Sequence, residues 1–349
     1  MVVAVPRAVR RVGRVLAFAA GGLLVLGTVV LVGVEVHYRA TKPDDVPAPH
    51  AVLPPPGATI EPGMVVFDSD RTGNFEVFVM AADGNDVRQL TDDPAYDSWW
   101  GRISPDRQRI LFYRTPKGVH DRDFTKTGLW IMGGRGEAPL ELRPPGTDGW
   151  QVQGHAEWSP SGEELVMFGG RNTNPQIWIT TGTGQRPRKV TDRGGSNLDP
   201  SWSPDGRTIA FVGCPRSICF FGSYEVYTAA ASGREDAVRL TSDGYRDHDP
   251  YFSPDGSKVA WLTQTSRAGP VGVWRLRIAD ADGTQLRWLV ADDAVSSKPE
   301  WSRDGRQIYF HRLDLARSPR FSIYVIEPDG TSLREVTAGQ PGVNEYPST

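Results

Sequence analysis

The sequence predicts an all-β fold, a six-bladed β-propeller of four-stranded antiparallel blades, and three observations predict it. One short phrase recurs five times. Its copies stand 44 to 55 residues apart. The chain also enters the array partway through a unit and leaves it with the missing piece. The phrase reads RISPDRQRILF at 102–112, EWSPSGEELVMF at 157–168, SWSPDGRTIAF at 201–211, YFSPDGSKVAW at 251–261 and EWSRDGRQIYF at 300–310. Its serines are Ser104, Ser159, Ser203, Ser253 and Ser302, spaced 55, 44, 50 and 49 residues. A period in that range marks an array of structural units rather than one wound domain.

Residues 199–243 show the elements of one unit in order. Pro200 to Ser203 is a short strand. Ser203-Pro204-Asp205-Gly206 is a tight turn: serine suits its first position, proline presets the second, and glycine takes the unusual backbone angle at the end. The stretch 208–212 alternates and is rich in branched and aromatic residues, which reads as a second strand. YEVYTAA at 224–230 is a third, closed by Ser232-Gly233, and AVRLT at 237–241 is a fourth. Other third strands are FEVFVMAADG (75–84), GLWIMGG (128–134), QIWITTG (176–182), VWRLRIADADG (273–283) and SIYVIEPDG (322–330). Other fourth strands are VRQLT (87–91), RKVT (188–191), LRWLV (286–290) and LREVT (333–337). Four strands per 45 to 50 residues make one propeller blade. The segment 64–91 has strands two to four but no first strand, and NEYPST at 344–349 looks like a first strand alone. Joined, they make a sixth blade and remove the open edges of the ring.

SDRTGNFEVFVMAADG (69–84), followed by VRQLT and the repeated WSPDGRxIAF phrase, resembles the TolB-like propeller repeat. The resemblance covers about 286 of 349 residues, from 64 to the end. It implies the propeller fold and says little of activity, because such propellers occur alone, beside hydrolase domains and in lyases. The Tol-system protein has an α/β domain ahead of its propeller. Here about 60 residues precede the first blade, and they read differently.

Four segments are expected: a basic stretch at 1–14, a transmembrane anchor at 15–36, a proline-rich linker at 37–63 and the propeller at 64–349. Residues 15–34 are twenty in a row without a charge. At 1.5 Å per residue they match a hydrocarbon core of about 30 Å. Arg7, Arg10, Arg11 and Arg14 precede them, which places the N-terminus in the cytoplasm and the propeller outside. The competing reading is a cleaved signal peptide, whose apolar core is shorter and is followed by a small-residue site. Seven prolines in residues 41–63 favour an extended spacer. Residues 1–42 carry six basic residues and one acidic, a charge of +5; the rest carries 33 basic and 41 acidic, a charge of −8. An acidic propeller is a poor nucleic-acid binder, which excludes that class of partner.

Topology selects a face. If the Ser-Pro-Asp-Gly and Asp-Gly turns share one end of the propeller, the segments 114–127, 169–175, 213–223, 263–272 and 312–321 share the other. Varied loops on a rigid scaffold carry binding. Four residues before each motif serine, beside the channel at that loop end, stand Trp100, His155, Asp199, Asp249 and Lys298. His248, Glu157 and Glu300 flank them. Trp99 and Trp100 break the repeat and are candidate ligand contacts. Asp199 and Asp249 precede prolines, so turn capping accounts for them first, with a polar ligand pocket as the alternative. His155, His248 and Asp249 have ligand chemistry for a divalent metal, at a spacing that matches no familiar metal signature. Trp158, Trp202, Trp261 and Trp301 recur at strand positions and read as inter-blade core rather than a sugar platform.

Cys214 and Cys219 share one loop-face segment and are the only cysteines. Outside the membrane they are expected to pair; two unpaired thiols are the alternative, and no further zinc ligands stand nearby. No Gly-x-Ser-x-Gly elbow, phosphate loop or dinucleotide fingerprint occurs. The expectation is therefore a membrane-anchored, extracytoplasmic and non-catalytic recognition module without a cofactor. It would engage a protein or cell-envelope polymer through the loop face. The rival is a metal-dependent carbohydrate enzyme, since oligogalacturonate lyases place a histidine-bound metal in a similar propeller. A third reading, a small-ligand sensor, has only about 14 cytoplasmic residues for its output.

Overall fold

The computed structural model describes residues 58–192, 195–214, 224–234, 236–267, 272–292 and 294–349. The basic segment, the anchor and the linker through residue 57 lie outside the described residues. Among the described residues no helix is long and apolar enough to cross a membrane; helical structure there amounts to two short 3-10 turns.

Six antiparallel four-stranded sheets follow one another along the chain. The first blade contains β1 (Met64–Ser69), β2 (Glu76–Ala81) and β3 (Arg88–Gln89). The second is β4 (Tyr96–Ile103), β5 (Arg109–Pro116), β6 (Gly128–Gly133) and β7 (Leu140–Arg143). The third is β8 (Val152–Trp158), β9 (Glu164–Arg171), β10 (Asn174–Thr181) and β11 (Arg188–Lys189). The fourth is β12 (Asn197–Trp202), β13 (Thr208–Gly213), β14 (Glu225–Ala230) and β15 (Val238–Arg239). The fifth is β16 (Arg246–Phe252), β17 (Lys258–Ser266), β18 (Val273–Asp280) and β19 (Arg287–Trp288). The sixth is β20 (Val295–Trp301), β21 (Ile308–Leu313), β22 (Ser322–Ile326) and β23 (Arg334–Glu335). The last strand, β24 (Asn344–Ser348), joins the first blade and pairs antiparallel with β1, with Ser69 opposite Asn344 and Val66 opposite Ser348. The two ends of the propeller therefore share one sheet, as the incomplete first and last units require.

The repeated phrase is a hydrogen-bonding device. In the fourth blade the Ser203 hydroxyl donates to Asp205 Oδ1 at 2.6 Å and accepts from Thr208 N at 2.9 Å. Ser104, Ser253 and Ser302 make the same pair of bonds with Asp106, Asp255 and Asp304. The threonine that follows the fourth strand has its own cause. The pairing of β3, β11, β15 and β23 covers only two residues each, and the following threonine reaches back by its side chain. Thr91, Thr191, Thr241 and Thr337 accept the amides of Val77, Ile177, Val226 and Ile323 at 2.9 to 3.0 Å.

The core lies between blades. Leu276 and Ile278 of the fifth pack with Ile308 and Phe310 of the sixth, all nearly solvent-free. The tryptophans belong to this packing. Trp261 sits in the cluster shared by blades four and five, and Trp202 packs on the cluster shared by blades three and four. The indoles of Trp158 and Trp301 donate to Arg102 O and Tyr251 O of the preceding blade. One expectation needs correction. The 169–175 segment is no long loop, since β9 and β10 run on as a hairpin to a turn at residues 172–173. The last residues before the first blade pack on it: Ile60 is buried in the cluster of the first two blades, and Arg107 donates to Ile60 O and Glu61 O, each at 2.7 Å.

Candidate functional site

Each innermost strand carries a β-bulge at the same place. The register breaks there, and the bulged residue has positive φ: Trp100 (59°), His155 (49°), Asp199 (51°), Asp249 (50°), Lys298 (43°) and Tyr346 (49°). Non-glycine residues rarely adopt this conformation, and such strain gathers at functional positions. A bulge also re-aims a side chain. Five of the six are the residues that the repeat alignment selects. Tyr346 was missed because its strand lacks the motif serine, yet it precedes Pro347 as Asp199, Asp249 and Lys298 precede prolines.

Asp199 is the centre of the ring's polar side. His155 Nδ1 lies 2.7 Å from Asp199 Oδ1, and His248 Nδ1 lies 2.6 Å from Oδ2. His155 Nε2 faces Asp121 at 3.7 Å. Burial alone would lower the His155 pKa; Asp121 and Asp199 outweigh it and raise it to about 10. Burial would raise that of Asp199, but His248 and His155 hold it well below the usual carboxylate range. His248 completes its bonding by accepting from Arg246 Nε at 3.0 Å. Asp249 differs. It is 8% exposed, and among the described residues no donor reaches its carboxylate. Burial and the neighbouring Asp199 push it up to about 6.

These groups border a cavity of about 590 Å³ at the long-loop end. Its walls include Tyr224, Arg246, Trp274 and Phe321, with Asp121 and Phe124 from the loop after β5. Beneath it the channel is plugged. Trp100 stacks on His155 with centroids 4.0 Å apart and planes within 7°. Arg102 lies 4.1 Å from the Trp100 ring centre and 2.7 Å from Glu157. Lys298 is fully buried, 3.2 Å from Glu300, and Tyr251 donates its hydroxyl to Glu157. Two cations and two carboxylates thus neutralise one another inside the plug. Burial, with Arg102 nearby, lowers the Lys298 pKa, and burial raises that of Glu300.

Of the candidate residues, Trp100, His155, Asp199, His248 and Asp249 meet at this cavity. Trp99, Lys298 and Glu300 do not. Trp99 is completely buried against Tyr113 and Phe124, so it is core rather than a ligand contact. Lys298 is sealed in the plug, and Glu300 opens toward the opposite mouth, among the serine turns. Trp100 keeps the repeat rather than breaking it. Arg246, Tyr224 and Trp274 escape sequence reading because only the ring geometry brings three separate strand ends together.

Ligand atoms of His155, Asp199 and Asp249 lie within 4.8 Å of one another. Both histidine Nδ1 atoms are already engaged by Asp199, and His155 is held protonated. Through their Nδ1 atoms the two histidines and Asp199 form a hydrogen-bonded relay, which a metal on His155 Nε2 would leave intact. Cys214 is buried and disulfide-bonded; its expected partner, Cys219, lies outside the described residues.

Comparisons with known proteins agree with the architecture. Residues 150–276 match the family model described as TolB beta propeller domain. A protein TolB homolog of Chlorobium luteolum is 31% identical over 151 residues, 42% of this chain and 31% of the homolog. Dipeptidyl-peptidase 5 of Porphyromonas gingivalis is 30% identical over 148 residues, 41% of this chain and 21% of the peptidase. The chain thus spans less than a third of the length of either relative. The crystal structure of TolB from Acinetobacter baumannii superposes with a TM-score of 0.63 at 16% identity, covering 82% of this chain and 66% of that one, a likeness of fold. The described residues form a six-bladed β-propeller, and within it residues 150–276 are similar to the TolB beta propeller domain.

Proposed function

We propose that the protein is a membrane-anchored, extracytoplasmic recognition module that binds a protein or cell-envelope polymer, without catalysis, through its long-loop face. The observation that carries this reading is the cavity of about 590 Å³ at that face. Its rim holds aromatic surface from Trp274 and Phe321. Its floor holds an imidazole–carboxylate relay, and one buried carboxylate, Asp249, has no partner there. Concave sites with aromatic walls and few, well-placed polar groups are ligand sites. The anchor rests on the uncharged stretch 15–34 and the arginines before it.

Photo-crosslinking tests the binding face. The full chain in its native membrane would carry a photoreactive residue at Trp274 or Phe321, and in a control at Arg303 beside the opposite mouth. A discrete adduct from the loop face alone is expected. Equal capture from both mouths, or none from the loop face, would overturn the reading. Protease added to intact spheroplasts should remove the propeller and spare an N-terminal tag.

A further inference from the structure

Ser98 N, Asp247 N and Asn344 N donate to Phe75 O, Tyr224 O and Phe321 O of the preceding blade, one backbone contact repeated at three junctions. The residue opening the third strand faces the residue two places before the bulge of the next blade. Between blades three and four these are Gln176 and Asn197, whose Nδ2 donates to Gln176 Oε1 at 3.0 Å. Thr191 donates to the same oxygen at 3.0 Å. Between blades four and five the two positions hold Glu225 and Asp247, both 0% exposed. Two carboxylates stand there in a place closed to water, where the preceding junction has two amides.

The donors do not follow the change. Thr91 and Thr191 give their hydroxyls to Glu76 and Gln176. Thr241, the equivalent residue, gives its hydroxyl to Asp247 Oδ2 at 2.7 Å, and Thr263 serves Oδ1 at 2.6 Å. Glu225 is left without a hydrogen bond at either carboxylate oxygen. Arg239 approaches Oε1 from the rim at 2.8 Å, outside hydrogen-bond geometry, while its Nε donates to Thr241 O. Oε2 has no partner. A buried carboxylate in that state carries a cost of several kcal/mol. Asp243 brings a third carboxylate, and ligand atoms of all three lie within 4.8 Å of one another. Among the described residues, the three carboxylates face two rim cations, Arg239 and Arg277.

We propose that Glu225, Asp247 and Asp243 form a cation site for Ca²⁺ at the loop-face junction of the fourth and fifth blades. The donors are all oxygen, which suits a hard cation and not zinc. Three carboxylates leave room for the water that completes the six to eight oxygens of Ca²⁺. Glu225 and Asp247 are chain neighbours of Tyr224 and Arg246, which line the channel-mouth cavity. Asp247 N also donates to Tyr224 O at 2.8 Å. A bound ion would therefore hold that wall of the cavity in place.

The test uses the full chain, stripped with chelator and titrated with Ca²⁺ alone. One ion per chain is expected by calorimetry, with a rise in melting temperature that grows with Ca²⁺. Asp243→Asn should weaken binding about tenfold, roughly the loss of one charge-bearing ligand at the rim. The double variant Glu225→Gln/Asp247→Asn copies the Gln176–Asn197 junction, so it should fold, melt independently of Ca²⁺ and bind none. Retained binding in that variant overturns the proposal. So does wild-type protein that ignores millimolar Ca²⁺ and gains stability as pH falls below about 6, the signature of a shared proton.

Discussion

Asp199 takes a hydrogen bond from each of two imidazoles, and the neighbouring carboxylate, Asp249, takes none. Their opposite surroundings give opposite dependences on pH. The His155 pKa, raised to about 10 from an ordinary 6.5, makes a stabilising contribution that is complete below 6.5 and lost as pH rises through about 10. Asp199→Asn removes one of the two carboxylates, Asp121 and Asp199, that hold that proton. The His155 ring resonances, flat across neutral pH in the wild type, should then titrate at a lower pH by NMR. Stability should drop by about 3–5 kcal/mol, the usual cost of breaking a buried pair from one side. A ring that stays protonated to the same pH in the variant would refute the relay. Asp249 has the reverse sign. Its pKa is raised from 3.8 to about 6, so its charge destabilises the fold above that value and costs nothing below 3.8. Asp249→Asn should stabilise by about 1–3 kcal/mol at pH 8 and by nothing measurable near pH 3.5, read from urea unfolding at both. A buried charge kept at such a cost marks a position held for binding rather than for folding. Equal stability of the two proteins at pH 8 would remove that argument.

The turns make the same point one level up, because two kinds of glycine look alike in the sequence and differ in the fold. Gly206 ends the Ser-Pro-Asp-Gly turn with φ 70°, and an added Cβ would meet only Pro160 at 3.9 Å. Gly84 ends the turn between β2 and β3 with φ 91°, and an added Cβ would fall 2.1 Å from Val336 O of the neighbouring blade. Gly206→Ala should therefore cost about 1–2 kcal/mol, the price of a left-handed alanine. Gly84→Ala should cost clearly more in the same melting assay, since one blade must withdraw from the next. Equal losses would show that the contact yields freely. Ser203→Ala leaves the Thr208 amide without its acceptor and should cost about 1–3 kcal/mol. The repeat, the strand order and the turn chemistry were legible because each is local: serine, aspartate and glycine at fixed offsets, and alternating branched residues between them. The bulge ring was legible as an alignment column at five of its six places. What could not be read was contact between columns. Nothing in the spacing of Trp99 says that it packs against Tyr113, nor in that of Lys298 that it is sealed between Glu300 and the Trp100 ring. Such pairs depend on blade twist and loop course, which sequence period does not encode.

Closing the ring depends on a few residues at the very end of the chain. β24 is only five residues, yet it supplies the innermost strand of the first blade and the sixth member of the bulge ring. Asn344 Oδ1 accepts from Arg71 at 2.6 Å, Tyr346 donates its hydroxyl to Asp121 at 2.5 Å, and the Thr349 hydroxyl reaches Trp301 O at 2.8 Å. The strand is therefore tied to blades one, two and six at once. Its loss would leave β1 as an unpaired edge facing the channel, a template for association with a second chain. A ring of like units with one seam should also transmit that loss around the whole molecule, since each blade buries its faces against two neighbours. A chain ending at Val343 should lose its sharp thermal transition, expose apolar surface to a dye such as ANS, and elute as oligomers. The single change Ser348→Ala removes one contact to the Ile103 amide and should leave the melt within about 1 kcal/mol of wild type. The contrast between the two separates the strand's closing role from its individual bonds. A truncated chain that stays monomeric and melts cooperatively within a few degrees of the full protein would mean that the other five blades hold the ring without a seam.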